Sequence, residues 1–313
     1  MAPSRAKSRV KPQHVAEYVL LRALAAVLQT VPVDWASASM GAALGSILRR
    51  TKRHARVKEH LALALPELSA DEHERIARAM WHQLGRVFGE AFQIDTILDD
   101  DRRLTLPEDF ETLKAITADG CVVATAHLGN WEVAGSIARR GERRLAGVYQ
   151  ALHNPLADRY LRRLREPVYP AGLFSKGGDL GTRLVGLVRQ GAAVGIVADL
   201  REKRGVEVRF FDQPAFATPM PAMLARMSGR PLIAGAVVRE GGVKFRAVCE
   251  VVEVPQTDDR THDIQVATQR LHDVFERWIR ANPEQWMWTH RKWATSKARP
   301  LGLAPKSNPD TVN

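Results

Sequence analysis

The sequence predicts an α/β protein, a sheet flanked by helices and preceded by a helical N-terminal part. Three observations carry this. From residue 121 onward, short apolar runs alternate with helical segments, the pattern of a sheet covered by helices. Between residues 69 and 92, apolar residues recur at helical spacing behind a helix-start signal. The hydrophobic fraction of 45% and mean hydropathy of −0.24 are ordinary for a globular chain and exclude a polytopic membrane protein.

Length and charge narrow the field further. At 313 residues the chain has ample length for a buried core in one large domain or two modest ones. Its 46 Lys+Arg against 35 Asp+Glu leave a net charge of +11. That excess favours an anionic partner: phospholipid headgroups, nucleic acid, a phosphorylated substrate or an acidic carrier protein. The two cysteines, Cys121 and Cys249, sit in strand-like runs without metal-like spacing. They read as small buried hydrophobes.

The elements follow in order. A basic start, MAPSRAKSRVKPQH, leads into EYVLLRALAAVLQTV, which Arg22 interrupts and which runs out at Gln29 and Pro32. A spanning helix needs roughly 20 apolar residues, so this stretch is too short, and no small-residue cleavage pattern marks a signal peptide. VDWASASMGAALGSIL (33–48) is apolar and rich in small residues, and the basic run RRTKRHARVK (49–58) follows. Two short apolar helices bracketed by cations fit a monotopic anchor on an anionic leaflet. A hairpin packed on its own domain is the alternative. The expected division is residues 1–55 for the basic N-terminus and anchor helices, 56–295 for the catalytic domain and 296–313 for a Pro-rich, polar, disordered tail.

Ser69 followed by Glu72 is a capping box, with Ile76, Met80, Leu84 and Val87 along one helical face. Phe110, Leu113 and Ile116 predict another helix, closed by Gly120. CVVATA (121–126), LAGVYQ (145–150), AAVGIVAD (192–199), PLIAGAVV (231–238) and VKFRAVCEV (243–251) read as strands. Helices are expected after the first strand, through DRYLRRLR (158–165), over 180–190 and across Ile264–Trp278.

The stretch TAHLGNWEV (125–133) places His127 directly after a strand and Glu132 five residues on. Functional residues gather at the carboxyl ends of strands in such sheets. On one straight helix the two side chains would point about 140° apart. They can cooperate only if His127 lies on a turn and Glu132 in the first helical turn. Gly129 and Asn130 are residue types that permit the turn, and Asn130 could cap the following helix. A carboxylate beside an imidazole fixes its tautomer and stabilises the imidazolium, making His127 a candidate general base. No G-x-S-x-G elbow is present, so the pattern suggests direct attack by a substrate hydroxyl on an activated acyl group. A histidine bonded to a helix-capping glutamate is the plainer reading, and spacing alone leaves both open.

HLGNWE resembles the H-x4-[DE] signature of the glycerolipid and lysophospholipid acyltransferase superfamily, in the HxGNWE form of its bacterial lipid A biosynthesis branch, the lauroyl/myristoyl-type acyltransferases. Three further stretches agree in order: residues 56–92, NPLADRYLRRLR with SKG (175–177), and ANPEQWMWTHRKW (281–293), similar to P-E-Q-[WY]-x-W-x-H-[RK]. The resemblance spans roughly residues 15–295. It implies a glycerolipid-acyltransferase-like mixed sheet with N-terminal membrane-associated helices. It implies transfer of a fatty acyl chain from acyl carrier protein to a hydroxyl of a lipid A precursor, at the cytoplasmic face of the cell inner membrane. It implies His127 as base with Glu132 as its partner, and Gly129 and Asn130 lining the acceptor pocket.

Four more acceptor-binding candidates follow. Lys176 and Gly177 form a glycine-flexed turn suited to an anion or a carbonyl oxygen. Asp199 ends a strand, though relatives continue D-Q where this chain has Asp199 and Leu200. Gln150 stands where relatives often carry arginine. The Arg159, Arg162, Arg163 and Arg165 cluster and REKRG (201–205) could contact phosphates or carrier protein, or be solvated charge. Trp286, Trp288 and Trp293 could form an interface belt or core. His153 and His290, without a local partner, read as structural.

A phosphorylated glycolipid acceptor, an acidic carrier thioester and a membrane surface would all be drawn to a basic chain. No cofactor or metal is expected, since a thioester has a good leaving group and backbone donors can stabilise an oxyanion. Another acceptor, such as a lysophospholipid or phosphatidylinositol mannoside, is the competing enzyme reading. A non-catalytic basic membrane-binding protein is the competing reading of another class. Nucleic-acid binding lacks a recognisable module.

Overall fold

A seven-stranded sheet lies at the centre, in the order β1 (Leu104–Thr105), β9 (Lys244–Val252), β8 (Leu232–Gly241), β2 (Cys121–Thr125), β5 (Ala193–Val197), β3 (Leu145–Tyr149) and β4 (Gly172–Ser175). All neighbours are parallel except β8 and β9, which pair antiparallel. The protein is thus a mixed α/β fold, a central mixed sheet flanked by helices. The computed structural model describes residues 10–175, 177 and 179–293. The expected tail at 296–313 and the candidate Lys176 lie outside the described residues.

Strand alternation sorts the core into two halves. Val122, Ala124, Val194, Ile196, Leu232 and Ala234 face the larger one, shared with α4 (Ala70–Glu90), α9 (Leu180–Arg189), α10 (Met220–Ser228) and α11 (Arg260–Ala281). Cys121, Leu145, Ala193, Ile233 and Val237 face the other, against α5 (Ile94–Leu98) and α6 (Phe110–Ile116). On that second face the residues are small in the strands that flank β2, with Ala193 and Gly195 in β5 and Gly235 in β8.

The capping box forms as expected. The Ser69 backbone N–H donates to Glu72 Oε2 at 2.8 Å, and the Glu72 N–H donates to Ser69 Oγ at 3.3 Å. From there α4 buries Ile76, Met80 and Trp81.

Helices α1 (Pro12–Gln29), α2 (Val33–Leu48) and α3 (Lys52–Ala64) precede it. No helix among the described residues is long and apolar enough to cross a membrane. Helix α2 crosses α4 closely through glycines. A Cβ on Gly85 would stand 2.4 Å from the Met40 carbonyl oxygen, and one on Gly89 would stand 2.7 Å from that of Ala36. Helix α1 leans on α8 (Pro155–Arg165) through Tyr18 and Tyr160, and Asn154 donates to the His14 carbonyl at 2.9 Å. The outer side of α1 and the start of α2 leave Val19, Leu20, Val27 and Trp35 in solvent, Leu20 and Trp35 being 73% and 74% exposed.

Several elements depart from the sequence expectation. REKRG belongs to a strand, β6 (Arg201–Phe210), paired with β7 (Gln213–Ala217) as a separate two-stranded sheet. Trp286, Trp288 and Trp293 are buried with Phe210 and Phe211, which decides for core packing over an interface belt. The helix expected directly after β2 starts late, as α7 (Gly135–Arg140), behind four turn residues.

Candidate active site

Strands β2 and β5 are parallel and in register, with Thr125 opposite Val197. Two residues beyond each lie His127 and Asp199, which brings them side by side at the carboxyl end of the sheet. The His127 Nδ1 stands 2.8 Å from Asp199 Oδ1, and the His127 backbone N–H donates to Asp199 Oδ2 at 2.9 Å. The Trp286 indole N–H donates to the same Oδ2 at 2.8 Å. Asp199 is fully buried, which by itself would raise its pKa. The charge of His127 and these hydrogen bonds prevail and hold the carboxyl well below the usual carboxylate range. An ionised carboxylate only accepts, so Nδ1 carries a proton, and in the neutral imidazole Nε2 is the nitrogen that presents its lone pair.

The expected His127–Glu132 pairing is corrected here: the carboxylate on the imidazole is Asp199. Glu132 turns away to Arg165, whose Nε donates to Oε2 at 2.7 Å and whose Nη2 donates to Oε1. The physical reason is geometric. Residues 131–134 form turns rather than a helix, so nothing folds Glu132 back over His127, whereas strand register delivers Asp199 to it. Burial opposes the charge on Arg165, but Glu132 outweighs it and raises the guanidinium pKa. The phenol of Tyr169, beside the pair, is pushed up by burial and by Glu132.

Gly129 and Asn130, expected to line the acceptor pocket, shape the turn and are not part of the lining of this cavity. Gly129 has φ of 60°, and a Cβ there would fall 1.8 Å from the Val237 carbonyl oxygen. Only glycine fits that approach. Asn130 is fully buried. Its Nδ2 donates to Glu90 at 2.6 Å, and its Oδ1 accepts from the Glu132 N–H at 3.1 Å. That bond turns the chain as a cap would, three residues ahead of α7. The turn is clamped from the C-terminal segment: Gly129 N–H donates to the Gln285 carbonyl at 3.0 Å, and Met287 N–H to that of His127 at 3.1 Å.

A cavity of about 700 Å³ is lined at one end by His127, Trp131 and Glu132 and continues over the small-residue face of the sheet, beneath α6 and α7. Its lining is mostly apolar. Gln150, Gly177 and Arg165 also line it, so of the acceptor candidates Gln150 and Gly177 face the cavity. Asp199 belongs instead to the histidine. His290, which reads as structural in the sequence, has its ring 5.3 Å from that of His127 in a tilted contact, and the Trp131 ring meets His127 edge-on at 4.9 Å. Arg165, Tyr169 and Trp286 are site residues that sequence reasoning did not single out as such. Arg165 was visible only as one of several cations on a helix. Among the described residues no group of three or more His, Cys, Asp or Glu is placed to hold a metal.

A carboxylate-held imidazole beside an apolar cavity is an arrangement suited to general-base chemistry on a group with an aliphatic chain. The sequence matches the family described as bacterial lipid A biosynthesis acyltransferase over residues 3–295. The chain belongs to that family and is an acyltransferase. It is 28% identical over 253 residues to a phosphatidylinositol mannoside acyltransferase of Mycobacterium tuberculosis, covering 76% of each chain. It is 24% identical over 275 residues to a lipid A biosynthesis palmitoleoyltransferase of Escherichia coli, covering 84% of this chain and 85% of the relative. A lipid A biosynthesis acyltransferase of Shigella flexneri matches to the same extent.

Proposed function

We propose that this acyltransferase moves a fatty acyl chain from acyl carrier protein to a hydroxyl of a phosphorylated glycolipid, a lipid A precursor, with His127 as general base. The observation that carries the reading is the His127–Asp199 contact beside the apolar cavity. Nε2 of His127 takes the proton of the acceptor hydroxyl as its oxygen attacks the thioester carbon. Asp199 stabilises the imidazolium. The C–S bond then breaks, and the leaving thiolate recovers the proton. Arg165, held by Glu132 in the lining of the same cavity, is suited to orient a phosphate or sugar oxygen.

The exposed apolar side chains of α1 and α2, with the basic run from Arg49 to Lys58, support docking on an anionic leaflet at the cytoplasmic face. This would place the cavity near a lipid acceptor. A second acceptor, a phosphatidylinositol mannoside, is favoured by the named activity of the Mycobacterium tuberculosis relative.

The test is acyl transfer from carrier-protein and coenzyme A thioesters to a tetra-acylated lipid A precursor and to a phosphatidylinositol mannoside, with wild type and His127→Ala. Product from wild type alone, with the first acceptor and the carrier donor, is the expected result. Product only with the mannoside moves the acceptor. Equal product from both proteins removes His127 as the base.

A further inference from the structure

We infer that Arg143 closes the far end of the cavity and sets the longest acyl chain the enzyme accepts; this rests on the acyl-transfer reading above. The cavity that starts at His127 also includes Cys121 and Arg143 in its lining. Cys121 begins β2 and His127 lies just past its end, so the cavity runs the length of the strand. Six residue steps correspond to about 20 Å at the usual strand rise. An extended hydrocarbon advances roughly 1.3 Å per carbon, given bonds near 1.5 Å, which allows on the order of fifteen carbons.

Along this path the walls are apolar and open. Gly195 and Gly235 lie on the sheet, and an added Cβ at either would touch Leu145 or Val123 at 3.4 Å. At the far end the character changes. Lys114 from α6 and Arg143 from the turn after α7 line the cavity there. The Arg143 Nη2 donates to the Lys114 carbonyl at 3.2 Å, and Lys114 Nζ pairs with Glu142 at 3.0 Å. The Arg143 Nε is buried without a hydrogen-bond partner among the described residues.

A methyl terminus that reached the Arg143 guanidinium, which lines the cavity, would displace water from a charged group and give it nothing in return. Each methylene that must press on past the guanidinium therefore loses the benefit of apolar burial, and the chain stops there. The bonds that close the end are few. The Lys114–Glu142 pair is largely exposed on the Glu142 side and contributes little. The stop therefore depends on the guanidinium itself rather than on a rigid wall.

The experiment uses the full chain as wild type, Arg143→Met and Lys114→Met. Two quantities are read: the acyl lengths transferred from a mixture of C10 to C20 thioesters, by mass spectrometry of the product, and the affinities of the free fatty acids of the same lengths, by calorimetry. Arg143→Met should move the upper limit by two or more carbons in both measurements. The preference for the chain two carbons beyond the wild-type limit should rise on the order of tenfold. Lys114→Met should act in the same direction, more weakly, and serves if Arg143→Met does not fold. An unchanged limit in a folded variant overturns the inference. If wild type binds fatty acids but transfers none, the reaction reading falls, and the binding limits still decide the role of Arg143.

Discussion

Asp199 Oδ1 lies 2.8 Å from His127 Nδ1, although 72 residues separate them in the chain. Replacing Asp199 with Asn keeps the size of the side chain but removes the charge that holds the tautomer and stabilises the imidazolium. By comparison with the same change in Ser-His-Asp triads, kcat of Asp199→Asn should fall on the order of 10⁴-fold. Single-turnover rates at saturating donor and acceptor measure this. A kcat within a few-fold of wild type would show that the imidazole works without its carboxylate.

Glu132 and Arg165 should behave differently from that pair. They meet in the lining of the cavity, 12% and 31% exposed in their side chains, and neither bonds to His127. Glu132→Gln and Arg165→Gln should mainly raise KM for the acceptor, and the double variant should cost less than the sum of the singles. A coupling of about 1–3 kcal/mol in kcat/KM is expected for residues in direct contact. Strict additivity would mean that the two do not act as a unit.

These contrasts mark where the sequence was legible. Helix α4 could be read because its capping box and apolar spacing are local, and the central strands because apolar runs between turn residues are local too. The histidine's partner could not. Glu132 is five residues away and invites pairing, whereas Asp199 is delivered by the Thr125–Val197 register of two parallel strands, which no spacing records. Asp199 was visible as a carboxylate at a strand end without its role. Strand β6 was hidden because REKRG lies in a largely solvent-facing hairpin, where charge obscures alternation. The stretch around Trp286 drew attention for its tryptophans, but its bonds to Asp199, His127 and Gly129 exist only once the C-terminal segment crosses the turn.

Gly129 offers a test of that crossing. Alanine there must adopt φ of 60° and would place its Cβ 1.8 Å from the Val237 carbonyl oxygen. Gly129→Ala should therefore destabilise the protein by more than about 2 kcal/mol and displace His127. Gly186 in α9 is the matched control, since nothing lies within 4 Å of an added Cβ. Gly186→Ala should be neutral or stabilising by up to about 1 kcal/mol. Similar melting temperatures for the two variants would contradict the described turn.

Lys292 gives a pH-dependent prediction. It is 1% exposed, and its Nζ lies 3.0 Å from His272 Nε2. Burial and the nearby Lys292 charge push the imidazole of His272 down to about 3. His272 is therefore neutral, donating from Nδ1 to the Thr268 carbonyl at 2.9 Å and accepting from Lys292 at Nε2. Burial lowers the Lys292 amine to about 8, against a partial opposing effect of Asp199. In the unfolded chain the amine titrates near 10.4. Between these values the unfolded state binds more protons, so this group's contribution to stability increases with pH, is complete above the unfolded value and is lost as pH falls through about 8. Relative to Lys292→Met, wild type should gain about 2 kcal/mol between pH 8 and 10, at no more than about 1.4 kcal/mol per unit. Urea unfolding of both proteins across that range reads the difference directly, with other titrating groups cancelling between them. A difference independent of pH would mean that Lys292 keeps its charge in the core, balanced by groups other than those seen around it.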